Sequence, residues 1–259
     1  MKKMSIGFIF GLVLALSVTV SAEVYQFVLS PHSLFVDGEE IEQPMFLKDG
    51  TNYLPLRAVS EALGTDVTYK DGRIDIIENN LETVAANCKD SCVMIYAEND
   101  TAISQGSGWV YNGYVVTAKH VVDGYDKINV FVDDSKYGVP GEIYYTDPEL
   151  DMAVIKADVD LPSVKLGDSD KLKEGERLVS ITSPHGVMNT IDECINSGFS
   201  EYNEGTFLAI SESNMNSGSS GGAVFSYNSE IIAAANSGND GGQDAIPIND
   251  IKPILEKLK

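Results

Sequence analysis

Cysteine is scarce in this chain: Cys88, Cys92 and Cys194 are the only three among 259 residues. Histidine is equally rare, with His32, His120 and His185 far apart. Together they offer no ligand spacing beyond Cys88-x-x-x-Cys92, which argues against a metal site. None of the three cysteines sits in a cysteine-protease motif. Cys88 and Cys92 can close one small loop, leaving Cys194 over and buried; other pairings, or three free thiols, remain open. Basic residues are few, 18 Lys and Arg against 39 Asp and Glu, for a net charge of -21. Such a surface repels nucleic-acid phosphates and anionic membranes, which argues against both as partners. The acidic residues are scattered, as on a solvated surface.

Long apolar runs are also missing, with one exception. Lys2 and Lys3 precede an apolar stretch from about Met4 to Val20, followed by Val20-Ser21-Ala22. This reads as a secretory signal peptide over residues 1–22 with a small-residue cleavage site, and the alternative is an uncleaved anchor. With no second such run, the mature chain is expected to have no membrane span and to be secreted or held at the cell surface, where disulfides are permitted.

What remains divides into two parts. From Val24 to about Ile77 short strand patterns crowd together, including Leu34-Phe35-Val36 before the turn Asp37-Gly38. Leu56, Val59 and Leu63 mark a helix ended by Gly64, and Val67-Thr68-Tyr69, Asp71-Gly72 and Ile74-Asp75-Ile76 read as a hairpin. A polar bridge follows, helical near Leu81–Ala86. Beyond Cys92 the pattern is β: Val93–Tyr96, then Trp109–Tyr111 and Tyr114–Val116 around Asn112-Gly113, a pair suited to a type I′ turn. Further short strands are expected at Ile128–Val132, Ile143–Tyr145, Ala153–Lys156, Leu178–Ile181, Phe207–Ile210, Ala223–Phe225 and Ile231–Ala235. Many short strands with polar turns point to a sandwich or barrels, a mainly β fold. Asn249–Lys259 reads as a helix with Ile251, Ile254, Leu255 and Leu258 on one face and Asn249 or Asp250 as its cap.

The first part resembles a known unit. Val36-Asp37-Gly38, Asn52-Tyr53-Leu54-Pro55-Leu56-Arg57-Ala58-Val59 and Glu61-Ala62-Leu63-Gly64 resemble the copper amine oxidase N-terminal-like domain of bacterial surface proteins. This assigns residues 23–79 to a small α+β domain. The name implies no copper, because His32 is its only histidine. A spacer role or contact with the cell surface is the expectation it raises.

Acyl transfer to water needs a nucleophile, a base and a site that polarises the carbonyl. Asn216-Ser217-Gly218-Ser219-Ser220-Gly221-Gly222-Ala223 offers two of these: an exposed hydroxyl, and glycines that let amide N–H groups turn inward. A flexible Gly/Ser loop is the bland alternative, but this one is short and lies between two apolar β runs that would hold it rigid. His120 follows an apolar strand, and Asp151 precedes one. Each of them alone says little.

Taken together they resemble the trypsin-like serine peptidase family, in its bacterial HtrA/Deg-type branch. Thr117-Ala118-Lys119-His120 is similar to the family's histidine motif, Leu150-Asp151-Met152-Ala153-Val154 to its aspartate motif, and Asn216–Gly222 to its serine motif. Gly106-Ser107-Gly108-Trp109-Val110, Ser183-Pro184-His185-Gly186 and Ala245-Ile246-Pro247-Ile248 are further echoes. The resemblance implies a chymotrypsin-like double β-barrel over residues 80–259, with His120, Asp151 and Ser220 as a catalytic triad and the N–H groups of Gly218 and Ser220 as the oxyanion hole. It also implies protein or peptide substrates and no cofactor. By the same resemblance, Asn214 and Met215 lie near the base of the primary specificity pocket, and Ala235, Asn236 and Ser237 near its wall.

Departures from the family pattern shape the remaining expectations. Ser219 stands where relatives carry Asn or Asp, and no Ile-Val-Gly-Gly start is present, so zymogen cleavage of the digestive kind is not expected. No peptide-binding PDZ domain is expected after Lys259. No aspartate lies six residues before Ser220, so small or medium apolar residues are the expected preference. Asp147 is the rival acid, Ser219 the rival nucleophile, and His185 reads as a structural turn residue. Asn239-Asp240-Gly241-Gly242-Gln243-Asp244 reads as a flexible loop rather than a calcium site. The competing function is a non-enzymatic surface-binding protein with an inactive peptidase-like domain; an esterase lacks its Gly-x-Ser-x-Gly elbow here.

Overall fold

The computed structural model describes residues 26–258, apart from residues 37, 134, 136, 203–204, 212–213 and 238–242. The signal-peptide segment therefore lies outside the described residues, as does most of the loop weighed above for calcium. Among the described residues, no helix is long and apolar enough to cross a membrane. The chain divides into two compact units, Met1–Val59 and Ser60–Lys259.

The first unit holds β1 (Val28–Leu29), β2 (Leu34–Val36), β3 (Glu39–Ile41), β4 (Phe46–Lys48) and β5 (Thr51–Tyr53). Strands β1, β4 and β5 form one antiparallel sheet, and β2–β3 a separate hairpin. Phe27 meets Tyr53 and Phe46 edge to face, with centroids 5.0 and 6.5 Å apart. Helix α1 (Leu56–Ala62) spans the division between the units and ends, as its sequence predicts, at Gly64 with φ +70°.

The second unit opens with the hairpin β6 (Thr65–Lys70) and β7 (Arg73–Glu78), turned at Asp71-Gly72. Helix α2 (Leu81–Cys88) follows, capped by Asn80, whose Oδ1 accepts from Thr83 N at 2.9 Å. Two barrels come next. The first contains β8 (Cys92–Glu98), β9 (Ile103–Tyr111), β10 (Tyr114–Ala118), β11 (Lys127–Phe131), β12 (Val139–Asp147) and β13 (Met152–Ala157), with helix α3 (Lys119–Val122) between β10 and β11. Its strands close in the order β10-β13-β12-β11-β8-β9. The β9–β10 turn is the predicted one: Asn112 and Gly113 have φ +49° and +78°, and Tyr111 pairs with Tyr114.

The second barrel uses β15 (Arg177–Thr182), β16 (Thr190–Tyr202), β17 (Gly205–Ser211), β18 (Ala223–Phe225), β19 (Glu230–Ser237) and β20 (Gln243–Pro247). The order β19-β18-β15-β16-β17-β20 is closed by pairing of β20 with β19, and β14 (Lys165–Leu166) adds to β19 in parallel. Residues on alternate sides of the strands fill different cores. Val93, Ile95, Val110, Val115 and Ile155 fill the first barrel, and Leu178, Cys194, Leu208, Val224 and Ala233 the second. A third cluster joins Trp109, Val116 and Val154 of the first barrel to Val179, Ile181, Phe225 and Ala234 of the second, so the barrels share one apolar contact.

Helix α4 (Ile248–Leu255) closes the chain on that shared cluster, burying Ile248, Ile251, Ile254 and Leu255 at roughly 1.5–3 kcal/mol each. The expected cap is corrected here. Asn249 and Asp250 lie inside the helix, which starts after Pro247 without a side-chain cap. Asn249 instead donates from Nδ2 to Asp168 Oδ1 at 2.8 Å.

The Cys88–Cys92 bridge is also corrected. All three cysteines are free and buried. Cys88 ends α2 and Cys92 begins β8. Their thiols engage different acceptors, Ser229 O at 3.7 Å for Cys88 and Cys88 O at 3.5 Å for Cys92. Burial pushes the Cys88 thiol up to about 11 and the Cys194 thiol up to about 12, and it raises Cys92 as well.

Candidate active site

Strand β10 is apolar and buried through Ala118, and the chain then turns into the single turn of α3. Val121 and Val122 of that turn enter the first barrel's core, which leaves His120 on the opposite, exposed side. Asp151 is set by the turn ahead of β13. Asp147 Oδ1 accepts from Glu149 N and Leu150 N, both at 3.1 Å, and Asp151 adopts φ +52°. Asp147, the rival acid, is thus occupied in shaping the turn.

The two motifs meet. Asp151 Oδ2 lies 2.5 Å from His120 Nδ1, its Oδ1 accepts from His120 N at 3.0 Å, and its carbonyl accepts from Lys119 N at 2.7 Å. One carboxylate therefore fixes both the backbone and the ring of His120. A carboxylate only accepts, so Nδ1 carries a proton, and in the neutral imidazole Nε2 is then left as an acceptor, the form a general base requires.

Ser220 lies in the turn between β17 and β18, with its residue 4% exposed. Glycines bring this turn against the first barrel. A Cβ on Gly221, where φ is +81°, would fall 2.3 Å from Thr117 Oγ1 and 2.5 Å from Ala118 N. A Cβ on Gly106 would fall 2.6 Å from both methyls of Val121 and 3.1 Å from Ser220 O. Ser107 N donates to Ser220 O at 2.9 Å. Ser220 is thereby held beside the strand end and turn that carry His120. Ser219, the rival nucleophile, turns its hydroxyl back to accept from Asn216 N at 3.1 Å.

The amides around Ser220 follow from peptide planarity. Ser217 O accepts from His185 N at 2.8 Å, so the Gly218 N–H of the same trans peptide points the other way. Ser219 O accepts from Gly222 N at 3.0 Å, which likewise turns the Ser220 N–H away from Gly222. His185 has φ +53° in a short turn and contributes through its backbone, in keeping with a structural reading.

The expected specificity residues are spread around this turn. Asn214 is exposed and tied to Asp192 of β16, by its N to Oδ2 at 2.5 Å and its Nδ2 to Oδ1 at 3.2 Å. Met215 is buried with the second barrel's core. Ala235 pairs with the nucleophile turn through Gly221 N to Ala235 O at 2.7 Å and Ala235 N to Gly222 O at 2.8 Å. Asn236 and Ser237 continue β19, opposite Asp244 and Gln243 of β20. Partial burial lifts the Asp244 carboxyl above its ordinary value. Sequence reasoning missed Gln105, whose Nε2 donates to Ser183 O at 2.8 Å, and marked Ser107, whose Oγ donates to Gly218 O at 2.7 Å, only as part of a longer motif. Only the Gly-Ser-Gly run around Ser107 hints at a close approach of backbones.

Residues 106–233, a span that includes His120, Asp151 and Ser220, match the trypsin-like peptidase domain. Residues 35–124 match the copper amine oxidase N-terminal domain, a longer span than the sequence motifs mark, and the two matches overlap in residues that the structure builds into the first barrel. A probable periplasmic serine endoprotease DegP-like protein of Marinomonas sp. (strain MWYL1) is 35% identical over 169 residues, 60% of this chain and 36% of that protein. One from Pseudomonas putida (strain W619) is 36% identical over 171 residues, 61% and 35% of the two chains. This chain thus spans about a third of the length of these relatives. Among solved structures, the HtrA-type protease AlgW with tripeptide superposes with a TM-score of 0.63 at 26% identity, covering 69% of this chain and 63% of that one. The fold is a chymotrypsin-like double barrel preceded by a small N-terminal domain, and the chain is similar to the trypsin-like peptidase domain over residues 106–233 and to HtrA/DegP-type serine proteases.

Proposed function

We propose that this chain is an exported serine endopeptidase that hydrolyses peptide bonds through an acyl-enzyme intermediate. The observation that carries the reading is the double hold of Asp151 on His120, with the Ser220 turn packed at Gly221 against the end of β10, two residues ahead of His120. Ser220 Oγ attacks the peptide carbonyl. His120 Nε2 takes its proton and returns it to the leaving amine, while Asp151 orients the ring and stabilises its charged form. The N–H groups of Gly218 and Ser220 receive the oxyanion, and loss of one such donor costs ~10²–10³ in rate. Water then releases the acyl group by the same steps in reverse roles.

In this reading Asn214, Met215, Ala235, Asn236 and Ser237 shape the primary specificity pocket, and buried Met215 and Ala235 favour small or medium apolar side chains. Residues 1–22 direct export, residues 23–79 form a domain suited to contact with the cell surface, and residues 80–259 are the peptidase domain. The periplasmic assignment of the relatives and the apolar N-terminal run both support export.

The test is hydrolysis of unfolded casein by the wild type beside Ser220→Ala, with fluorophosphonate labelling of the same samples. Cleavage and labelling by the wild type alone are expected. A folded wild type that neither cleaves nor takes the label would support the inactive, surface-binding alternative.

A further inference from the structure

Strand β9 crosses between the barrels, and its residues alternate in direction. Gly106, Gly108 and Val110 face the first barrel's core, whereas Trp109 enters the cluster shared with the second barrel. Gln105 and Ser107 lie on the Trp109 side. Ser107 is 1% exposed, and every polar group it has is used. Its N donates to Ser220 O at 2.9 Å and its O accepts from Thr117 Oγ1 at 2.7 Å. Its Oγ donates to Gly218 O at 2.7 Å and accepts from Ser183 N at 2.7 Å. Gln105 makes a parallel set of contacts. Its Nε2 donates to Ser183 O at 2.8 Å, Gly106 O at 3.1 Å and Gly218 O at 3.4 Å, and its Oε1 accepts from Gly186 N at 3.1 Å.

We propose that Gln105 and Ser107 are positioning residues that lock the Gly218 peptides, and so hold the Gly218 N–H aimed at the substrate carbonyl. The proposal rests on the endopeptidase reading and names what keeps its oxyanion site assembled. Gly218 has φ +98°, and a Cβ there would fall 2.7 Å from the backbone oxygen of Ser183 as well as 2.1 Å from Gln105 Oε1, so the position favours glycine. Glycine is also the residue whose flanking peptides rotate most freely. A flip of the 217–218 peptide would replace an N–H donor with the Ser217 carbonyl, an acceptor facing a developing negative charge. Two anchors oppose that flip. Ser107 Oγ holds the 218–219 peptide by its oxygen. Gln105 holds the 183–186 turn, whose His185 N in turn holds Ser217 O at 2.8 Å. The first barrel thus sets the geometry of a loop that belongs to the second.

The test uses the full chain as wild type, Ser107→Ala, Gln105→Met and the double variant. Fluorophosphonate titration of Ser220, run to completion, counts competent sites, and kcat is then expressed per titrated site. Each single variant is expected to lower per-site kcat by about fivefold or more, up to the ~10²–10³ that removal of one oxyanion donor costs. KM is expected to stay within about threefold, because the substrate pocket is untouched. Affinity for a peptide boronic acid, whose tetrahedral adduct places an oxygen in the oxyanion site, should fall in step with kcat/KM. The double variant should be less than multiplicative, since both side chains guard the same glycine. Fewer titratable sites with a smaller change in per-site kcat would make the two residues merely structural and overturn the proposal. If Ser107→Ala does not fold, Gln105→Met alone decides by the same thresholds. A wild type that takes no label marks the failure of the endopeptidase reading instead.

Discussion

Asp151→Asn exchanges one carboxylate oxygen for an amide nitrogen and leaves the shape of the site unchanged. Asparagine tolerates the φ of +52° at this position as well as aspartate does. Its amide oxygen must remain opposite His120 N, because two N–H groups cannot face each other. The amide NH₂ then faces Nδ1, where the carboxylate Oδ2 now sits at 2.5 Å. The imidazole is forced into the tautomer with its proton on Nε2, which cannot accept the Ser220 proton. A loss of ~10⁴ in kcat follows, equivalent to roughly 5.4 kcal/mol of transition-state stabilisation. Stability should barely change. The His120 and Asp151 side chains are 46% and 33% exposed, and polar side-chain pairs in such surroundings contribute under about 1 kcal/mol. The assay is per-site kcat on a peptide substrate beside the thermal midpoint, with Asp147→Asn as the control. Asp147 accepts its two turn bonds through one oxygen, which asparagine retains, so that variant should stay within about twofold. A kcat for Asp151→Asn within about tenfold of the wild type, at an unchanged midpoint, would refute the role given to Asp151.

Other outcomes are set by packing and burial. Gly221→Ala introduces a Cβ 2.3 Å from Thr117 Oγ1 at a φ of +81°, so left-handed strain of ~1–2 kcal/mol adds to ~1–3 kcal/mol of overpacking. Gly113→Ala carries the same kind of strain, φ +78°, with nothing within 4 Å, so its drop in thermal midpoint should be clearly smaller; equal drops would show that the close approach at Gly221 is not rigid. The three buried thiols should resist a disulfide reagent at pH 8 in the folded chain and react once it is denatured, since a pKa of about 11 leaves Cys88 with about a thousandth of its thiolate. The same burial makes stability depend on pH. The unfolded chain gives up these protons near the ordinary value of 9.0, while folded Cys88 and Cys194 hold theirs to about 11 and 12. Stability is therefore full below pH 9 and is lost as pH rises from 9 towards 12. Cys194→Ala should flatten that decline, and parallel curves for the two proteins would contradict this account.

Local chemistry made part of this protein legible in its sequence. The Asn112-Gly113 turn, the Gly64 helix stop and the β7 pattern are each decided by a few neighbouring residues, and the structure has them where the pattern puts them. The His120, Asp151 and Ser220 motifs are also short, and each is shaped by its own strand end or turn. Tertiary structure decided the rest. Strand β16 is 13 residues long, yet its sequence is polar and its register shifts between Asn196 and Gly198, so no clean alternation marks it. A spacing of four did not decide the state of the cysteines, which are all free, with Cys88 at the end of α2 and Cys92 at the start of β8. Asn249, a plausible cap by type, was drawn into the helix because Ile248 is needed in the core one residue earlier. Gln105 and Ser107 act through hydrogen bonds to backbone atoms 76 to 113 residues away, and a bond to a backbone atom leaves no mark on the identity of the residue that supplies it. The sequence by itself determined the candidate groups and their local turns. Only closure of the two barrels, which brought β9 against the Ser220 loop, decided where those turns sit in the fold.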